Sequence, residues 1–134
     1  MTSKLVEYTS RAALGALFVW SGIGKIIAYS DVEGYIASFG LPFSHLVLVG
    51  AIIVEVVAGA ALMIGYWTEV SAKVLGTFTV LAALIFHTQF SDPDQVIHFL
   101  KNIAIAGGLL HLAYHTSATS GIKKLKRRTV AFGR

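Results

Sequence analysis

Residues 43–66, FSHLVLVGAIIVEVVAGAALMIGY, contain one carboxylate, Glu55, and no lysine or arginine. A helix that crosses the hydrocarbon core of a bilayer needs about 20 consecutive, mostly apolar residues, and this stretch is long enough. In lipid, every backbone amide must be paired within its own segment, so a stretch of this kind forms a helix. The sequence therefore predicts a membrane-spanning helix with one buried carboxylate.

Three further apolar stretches accompany this one, at about residues 8–29, 70–90 and 93–115. Of the 134 residues, 55% are hydrophobic and 13% are charged, whereas a soluble domain carries about 25% charged residues. The alternating segments of about ten residues that build a membrane barrel are absent from the sequence. We predict one all-α domain over residues 1–134, an integral membrane four-helix bundle. A cleaved signal peptide is the alternative interpretation of the first stretch, and Lys25 disfavours it by interrupting that stretch.

A short segment is expected between the first and second helices. Ser30 or Asp31 can cap it, and its apolar positions share one face as far as Phe39. Gly40 and Pro42 then end it. An amphipathic segment of this kind lies along the membrane interface or dips into it.

The two later joints also carry helix-start signals. Thr68 can cap the third helix with its side-chain oxygen. Asp92 can cap the fourth helix, with Pro93 at the first helical position and Gln95 completing a pair that resembles a capping box. We therefore expect both helices to begin at side-chain caps.

Lysine and arginine residues predict the orientation of the bundle. With four crossings, nine of the eleven fall on the side that holds both chain ends: Lys4, Arg11, Lys73, Lys123, Lys124, Lys126, Arg127, Arg128 and Arg134. The loops on the opposite side contain no lysine or arginine, and their charged residues are all carboxylates: Asp31, Glu33, Asp92 and Asp94. By the positive-inside rule, both termini are cytoplasmic, and we call the opposite half of the bundle the outer half.

Residues 121–134 form a basic tail, which contributes much of the net charge of +4. Its basic cluster consists of Lys123, Lys124, Lys126, Arg127 and Arg128. Nucleic acid is one partner that such a cluster could bind. A basic cluster next to an apolar helix more often faces anionic lipid headgroups, so we predict lipid binding and no nucleic-acid partner.

Polar side chains inside the apolar helices are the strongest functional signal. A charge in the membrane interior is costly, so such a residue usually faces the bundle interior and is paired. All four helices place a polar group in the outer half, which predicts one ligand-binding or buried polar cluster: Ser21, Lys25, Glu55, His87, Lys101 and Asn102. The alternatives are polar helix packing and, for Lys25, snorkelling to the headgroups. Glu55 is too deep to reach water, so we expect it to pair with at least one of Lys25 and Lys101, directly or through a bound polar ligand.

Metal and thiol chemistry receive little support from the sequence. His111 and His115 are four residues apart, which is a spacing found in metal and haem sites. Both lie near the cytoplasmic end of their helix and lack the glutamate of a zinc-peptidase motif, so we predict an interfacial role and no metal site. The chain has no cysteine, which excludes disulfides and thiolate ligands.

Several motifs in order along the chain resemble one family. They are FVWSGIGK at 18–25, ASFGLP at 37–42, Glu55 with Gly59 and LMIG at 62–65, FH at 86–87, and FLKNIAIAGG at 99–108. Over about residues 11–112, the sequence resembles the DoxX family of small four-helix membrane proteins. The resemblance implies a multi-pass protein of the bacterial inner (cytoplasmic) membrane.

The resemblance also implies two kinds of partner. Some members of the family are subunits of a thiosulfate:quinone oxidoreductase, and others are linked to oxidative-stress complexes. The extra soluble domain of the two-subunit enzyme is missing from this sequence, so an autonomous oxidoreductase is not expected. Quinone is the one cofactor the resemblance suggests, and no cofactor motif occurs in the chain itself.

Two functions therefore stay open at the level of sequence. One is a non-enzymatic membrane module, either a non-autonomous subunit or a protein that binds a small ligand in its polar cluster. The other is the membrane subunit of a quinone-linked oxidoreductase, which receives electrons through a redox or stress-response partner. Homo-oligomers are compatible with both. A transporter is disfavoured, because no inverted repeat or broken helix is evident.

Overall fold

Five helices make up the structure, a computed structural model that describes the backbone of residues 2–132 and the side chains of residues 4–122. They are α1 (Thr2–Ile27), α2 (Tyr29–Ser38), α3 (Ser44–Ile64), α4 (Thr68–Phe86) and α5 (Pro93–Phe132). No strand occurs among the described residues. The all-α prediction is confirmed.

Three helices, α3, α4 and α5, are long and apolar enough to cross a membrane. The pair α1 and α2 is the fourth candidate crossing, and the two helices meet at an angle of 95°. Because α1 lies along α3, this bend directs α2 across the outer end of the bundle. The short segment predicted there is present, and the orientation of the termini remains a prediction.

The joint between α1 and α2 differs from the prediction. Helix α2 begins at Tyr29, after Ala28, and no side chain caps it, so neither Ser30 nor Asp31 has the predicted role. Backbone hydrogen bonds continue through the bend, from Ala28 N to Gly24 O at 3.0 Å and from Val32 N to Ala28 O at 3.0 Å. The cap position of α2 is Ala28, whose side chain has no oxygen to accept a hydrogen bond from the first turn. The predicted end near Gly40 is confirmed.

Of the two other predicted helix caps, one is absent and one is present. Thr68 is the first residue of α4 and is buried, and the cap position belongs to Trp67, which makes no side-chain cap hydrogen bond. The predicted Thr68 cap is therefore wrong. Asp92 does cap α5, because its Oδ1 accepts a hydrogen bond from the Asp94 amide at 3.0 Å. The side chain of Gln95 bonds to His87 and not to the Asp92 backbone.

Glycines bring α1 and α3 together. A Cβ on Gly15 would lie 2.6 Å from the carbonyl oxygen of Gly59, and one on Gly22 would lie 2.6 Å from Val56 Cγ2. Small residues at such positions let membrane helices approach closely. A contiguous core then fills the half of the bundle opposite the outer half: Phe18, Leu62, Ala72, Leu75, Leu109, Leu112 and Ala113.

Helix α5 is longer than the predicted 93–115. Its 40 residues extend for about 60 Å at about 1.5 Å per residue, twice the thickness of the hydrocarbon core of about 30 Å. The predicted tail thus continues the helix as far as Phe132. The side chains of the basic cluster, and with them the predicted lipid contacts, lie outside the described residues.

Candidate functional site

Glu55 is the centre of the buried polar cluster. Only 4% of the residue is exposed. Its Oε1 accepts hydrogen bonds from Lys25 Nζ at 2.9 Å and from Ser21 Oγ at 3.1 Å, and Lys25 Nζ also donates to Ser21 Oγ at 2.8 Å. The predicted pairing of Glu55 is confirmed, with Lys25 as the partner. Lys25 therefore bonds within the bundle and does not snorkel.

The second carboxylate oxygen of Glu55 is less well satisfied. Oε2 lies 2.8 Å from Lys25 Nζ, which is an ion-pair distance. This oxygen is nevertheless shielded from solvent and accepts no hydrogen bond of suitable geometry within the described part of the chain. A buried acceptor in this state leaves room for one more donor.

A π-helical turn in α3 carries Glu55. Residues Val54–Ala58 have this wider hydrogen-bonding pattern, and α-helix continues on both sides. Such turns insert one residue into a helix and are frequent at functional sites. Gly22 of α1 faces the turn, where an added Cβ would lie 3.3 Å from Glu55 Cβ. The π turn was not predicted, because no local pattern in the sequence marks it.

Histidines and a lysine form a second polar group, where α4 ends and α5 begins. His87 Nδ1 is 2.8 Å from Gln95 Oε1, and the rings of His87 and His98 stack with centroids 5.1 Å apart. Lys101 Nζ is 3.2 Å from His98 Nδ1. An ammonium can only donate, so Nδ1 is the acceptor in this bond. Lys101 therefore points to His98, and the alternative Lys101–Glu55 pair is not formed.

One cavity of about 660 Å³ connects the two polar groups. All six predicted cluster residues line it: Ser21, Lys25, Glu55, His87, Lys101 and Asn102. Its apolar walls include Phe18, Tyr35, Phe78 and Phe86. A volume in this range is typical of sites for small organic ligands. The six residues predicted to converge in the outer half therefore line one cavity, and ligand binding there remains a proposal.

Thr79 is a further lining residue, which was not predicted from the sequence. It lies on the cavity wall of α4, is 4% exposed, and donates a hydrogen bond from Oγ1 to the Leu75 carbonyl at 2.7 Å. A threonine that bonds its own helix gives no signal of this position in the sequence. His111 and His115 are exposed and do not line the cavity, and the described residues contain no group of three metal-ligating side chains.

These features define a helical, multi-pass membrane protein with a mostly apolar cavity in one half of its bundle, lined at two places by polar side chains. The DoxX family matches residues 8–88, and the chain belongs to that family. Inner membrane protein YqjF of Escherichia coli K12 is 34% identical over 116 residues, which cover 87% of this chain and 88% of that protein. Inner membrane protein YphA of the same organism is 30% identical over 109 residues, 78% of each chain. No solved structure matches the chain significantly.

The family match confirms the resemblance, and the two inner membrane relatives support the predicted location. The family match includes Lys25, Glu55 and His87 but ends before Lys101 and Asn102. The alignment with YqjF is too long to end before α5, so the relatives extend the similarity over that helix.

Proposed function

We propose that this protein is a ligand-binding module of the inner membrane, which acts with a partner and not as an autonomous enzyme. The observation that carries the proposal is the cavity. It is lined both by the Lys25–Glu55 ion pair and by Lys101, a lysine without a carboxylate partner among the described side chains. The ligand has a polar headgroup that accepts hydrogen bonds from Lys101 and Asn102. A donor on the same headgroup would satisfy Glu55 Oε2.

Charge favours an anionic or electron-rich headgroup. The ammonium of Lys25 is neutralised by Glu55 at 2.8 Å. The other described ion pairs are Arg11–Glu7 and Lys73–Glu69, so Lys101 has no carboxylate partner in the part of the chain with described side chains. The Asn102 amide has no hydrogen-bond partner there either. A cation without a carboxylate partner at membrane depth is costly, and a bound anion would offset that cost.

The test is a comparison of small molecules that co-purify with the protein in its native lipids. We expect native mass spectrometry to show a bound molecule on the wild type that is lost in Lys101→Met and in Asn102→Leu. Lys73→Met is the matched control, because it removes the same charge from a paired lysine outside the cavity. If the wild type carries no bound molecule, or all variants retain it equally, the proposal is wrong.

A quinone-linked subunit is the second candidate function. Tyr35 and Phe86 line the cavity with ring centroids 5.8 Å apart and an interplanar angle of 31°, a geometry that suits a third planar ring beside them. Lys101 and Asn102 could donate to a quinone carbonyl, and a partner protein would supply the electrons. Extraction of ubiquinone or menaquinone at about one molecule per chain from the wild type, with loss in Asn102→Leu, would favour this function.

A further inference from the structure

The outer half of the bundle is divided into two helix pairs. Helix α1 packs along α3, and α4 packs along α5. By contrast, the outer part of α3 (Ser44–Ile53) makes little or no close backbone contact with α4, and α1 makes little or none with α5, within the described residues. The cavity lies between the pairs and is bordered by two seams, one between α3 and α4 and one between α1 and α5.

The seam between α3 and α4 is apolar. Three side chains that line the cavity are also exposed there: Val47 on α3, at 39%, and Leu81 and Ile85 on α4, at 52% and 39%. Exposed apolar side chains in a membrane-spanning part of the bundle suit contact with lipid tails. This side of the cavity is therefore compatible with the hydrocarbon core of the bilayer.

The other side of the cavity is polar. Lys101 and Asn102 lie on α5, and the Lys25–Glu55 pair lies on α1 and α3. Lys101 is exposed and bonds to His98 but has no carboxylate partner among the described side chains, whereas Lys25 is neutralised. A ligand that spans the cavity would therefore meet a net positive charge at one end and lipid at the other.

Helix α2 covers the end of the cavity that faces the outer aqueous side. Its Val32, Tyr35 and Ile36 line the cavity, and Ile36 is 5% exposed. The rings of Tyr35 and Phe39 pack on Phe86 at the end of α4, with centroids 5.8 and 5.1 Å away. This cover ties the two helix pairs together and obstructs direct entry from water.

We propose that the cavity takes its ligand from the bilayer and that the ligand is a single-chain anionic amphiphile. The anionic head lies at Lys101 and Asn102, and the acyl chain leaves between α3 and α4 past Val47 and Ile85. The proposal rests on the proposed function and adds the class of ligand and its route. A carboxylate and a phosphate head share this chemistry.

The experiment measures saturable binding of tritiated decanoate to the protein in nanodiscs, with empty nanodiscs subtracted. We expect butyrate to compete at least about 100-fold more weakly than unlabelled decanoate, because each buried methylene strengthens binding from water about fourfold. Decyltrimethylammonium should not compete, because its head is cationic. Decyl phosphate distinguishes the two heads: competition stronger than that of decanoate assigns a phosphate, and weaker competition assigns a carboxylate.

Two tryptophan substitutions test the route. Ile85→Trp narrows the seam and should weaken decanoate binding at least tenfold, and Val47→Trp should do the same from the facing helix. Leu84→Trp is the matched control, since Leu84 is 53% exposed on the same helix and does not line the cavity. A melting temperature for each variant close to that of the wild type shows that the fold is retained.

The outcomes separate this inference from the proposed function. If butyrate binds as tightly as decanoate and both need Lys101, the cavity binds anions, but the assignment of an amphiphile as the ligand is wrong. If both seam variants bind like Leu84→Trp, the route is wrong. Competition by decyltrimethylammonium would contradict the anionic head. If no probe binds saturably, this inference fails, and the co-purification test decides the proposed function independently.

Discussion

Replacing Glu55 by glutamine should destabilise the protein, and the loss should depend on Lys25. The substitution keeps the size of the side chain and an oxygen that can accept from Ser21, but it removes the negative charge 2.8 Å from Lys25 Nζ. An uncompensated ammonium then remains in the bundle. Such a group is usually more harmful than the loss of the whole pair.

The burial of both partners sets the magnitude. Breaking a buried ion pair by removing one partner costs about 3–5 kcal/mol. The Lys25 side chain is 24% exposed and the Glu55 side chain 5%, so the remaining charge is partly solvated. We therefore expect Glu55→Gln to lower the free energy of unfolding by about 3 kcal/mol, the lower end of that range. Adding Lys25→Met should recover about 1–2 kcal/mol, as expected for two coupled residues.

The assay is reversible unfolding in mixed micelles, followed by circular dichroism, for the two single variants and the double variant. Lys101→Met is the matched control, because it removes a lysine from the same cavity that does not contact Glu55. Its effect should add to that of Glu55→Gln within about 0.5 kcal/mol. Additivity with Lys25→Met, or coupling to Lys101→Met, would refute the assignment of the pair.

Three further predictions concern packing, topology and the tail. Gly15→Ala should cost about 1–3 kcal/mol of unfolding free energy, because the new methyl group would overlap the backbone of α3, whereas Gly24→Ala, with nothing within 4 Å, should not destabilise the protein. The chain has no cysteine, so a single introduced cysteine reports its own side of the membrane. Gly34→Cys should react with an impermeant maleimide in intact cells, and Ser120→Cys should react only after permeabilisation. The reverse labelling pattern would show that the bundle has the opposite orientation. Each basic residue near an anionic surface is attracted to it by about 1 kcal/mol. In proteoliposomes, anionic lipid should therefore slow trypsin cleavage within residues 123–128, and high salt should abolish this protection. Equal cleavage rates on neutral and anionic vesicles would contradict lipid binding by the tail.

The sequence by itself determined that the chain is all-α and inserts into a membrane, and it located the helices. These properties depend on residues within each segment, because in lipid each backbone amide must be paired locally. Residues 43–66 show this: their length and composition predict α3 without information from any other helix. The polar residues of the cluster were also identifiable, since each one is out of place in its own apolar segment.

Tertiary structure alone decided which of these residues meet. Lys25 and Lys101 were equivalent partners for Glu55 by depth, and the choice depended on the close approach of α1 to α3 at Gly15, Gly22 and Gly59. The π turn under Glu55, the uncapped bend before α2 and the separation of the outer half into two helix pairs were also not evident from any single segment. The physical reason is that rotation and spacing between helices depend on contacts between distant residues, whereas helix formation in a membrane depends on neighbours along the chain.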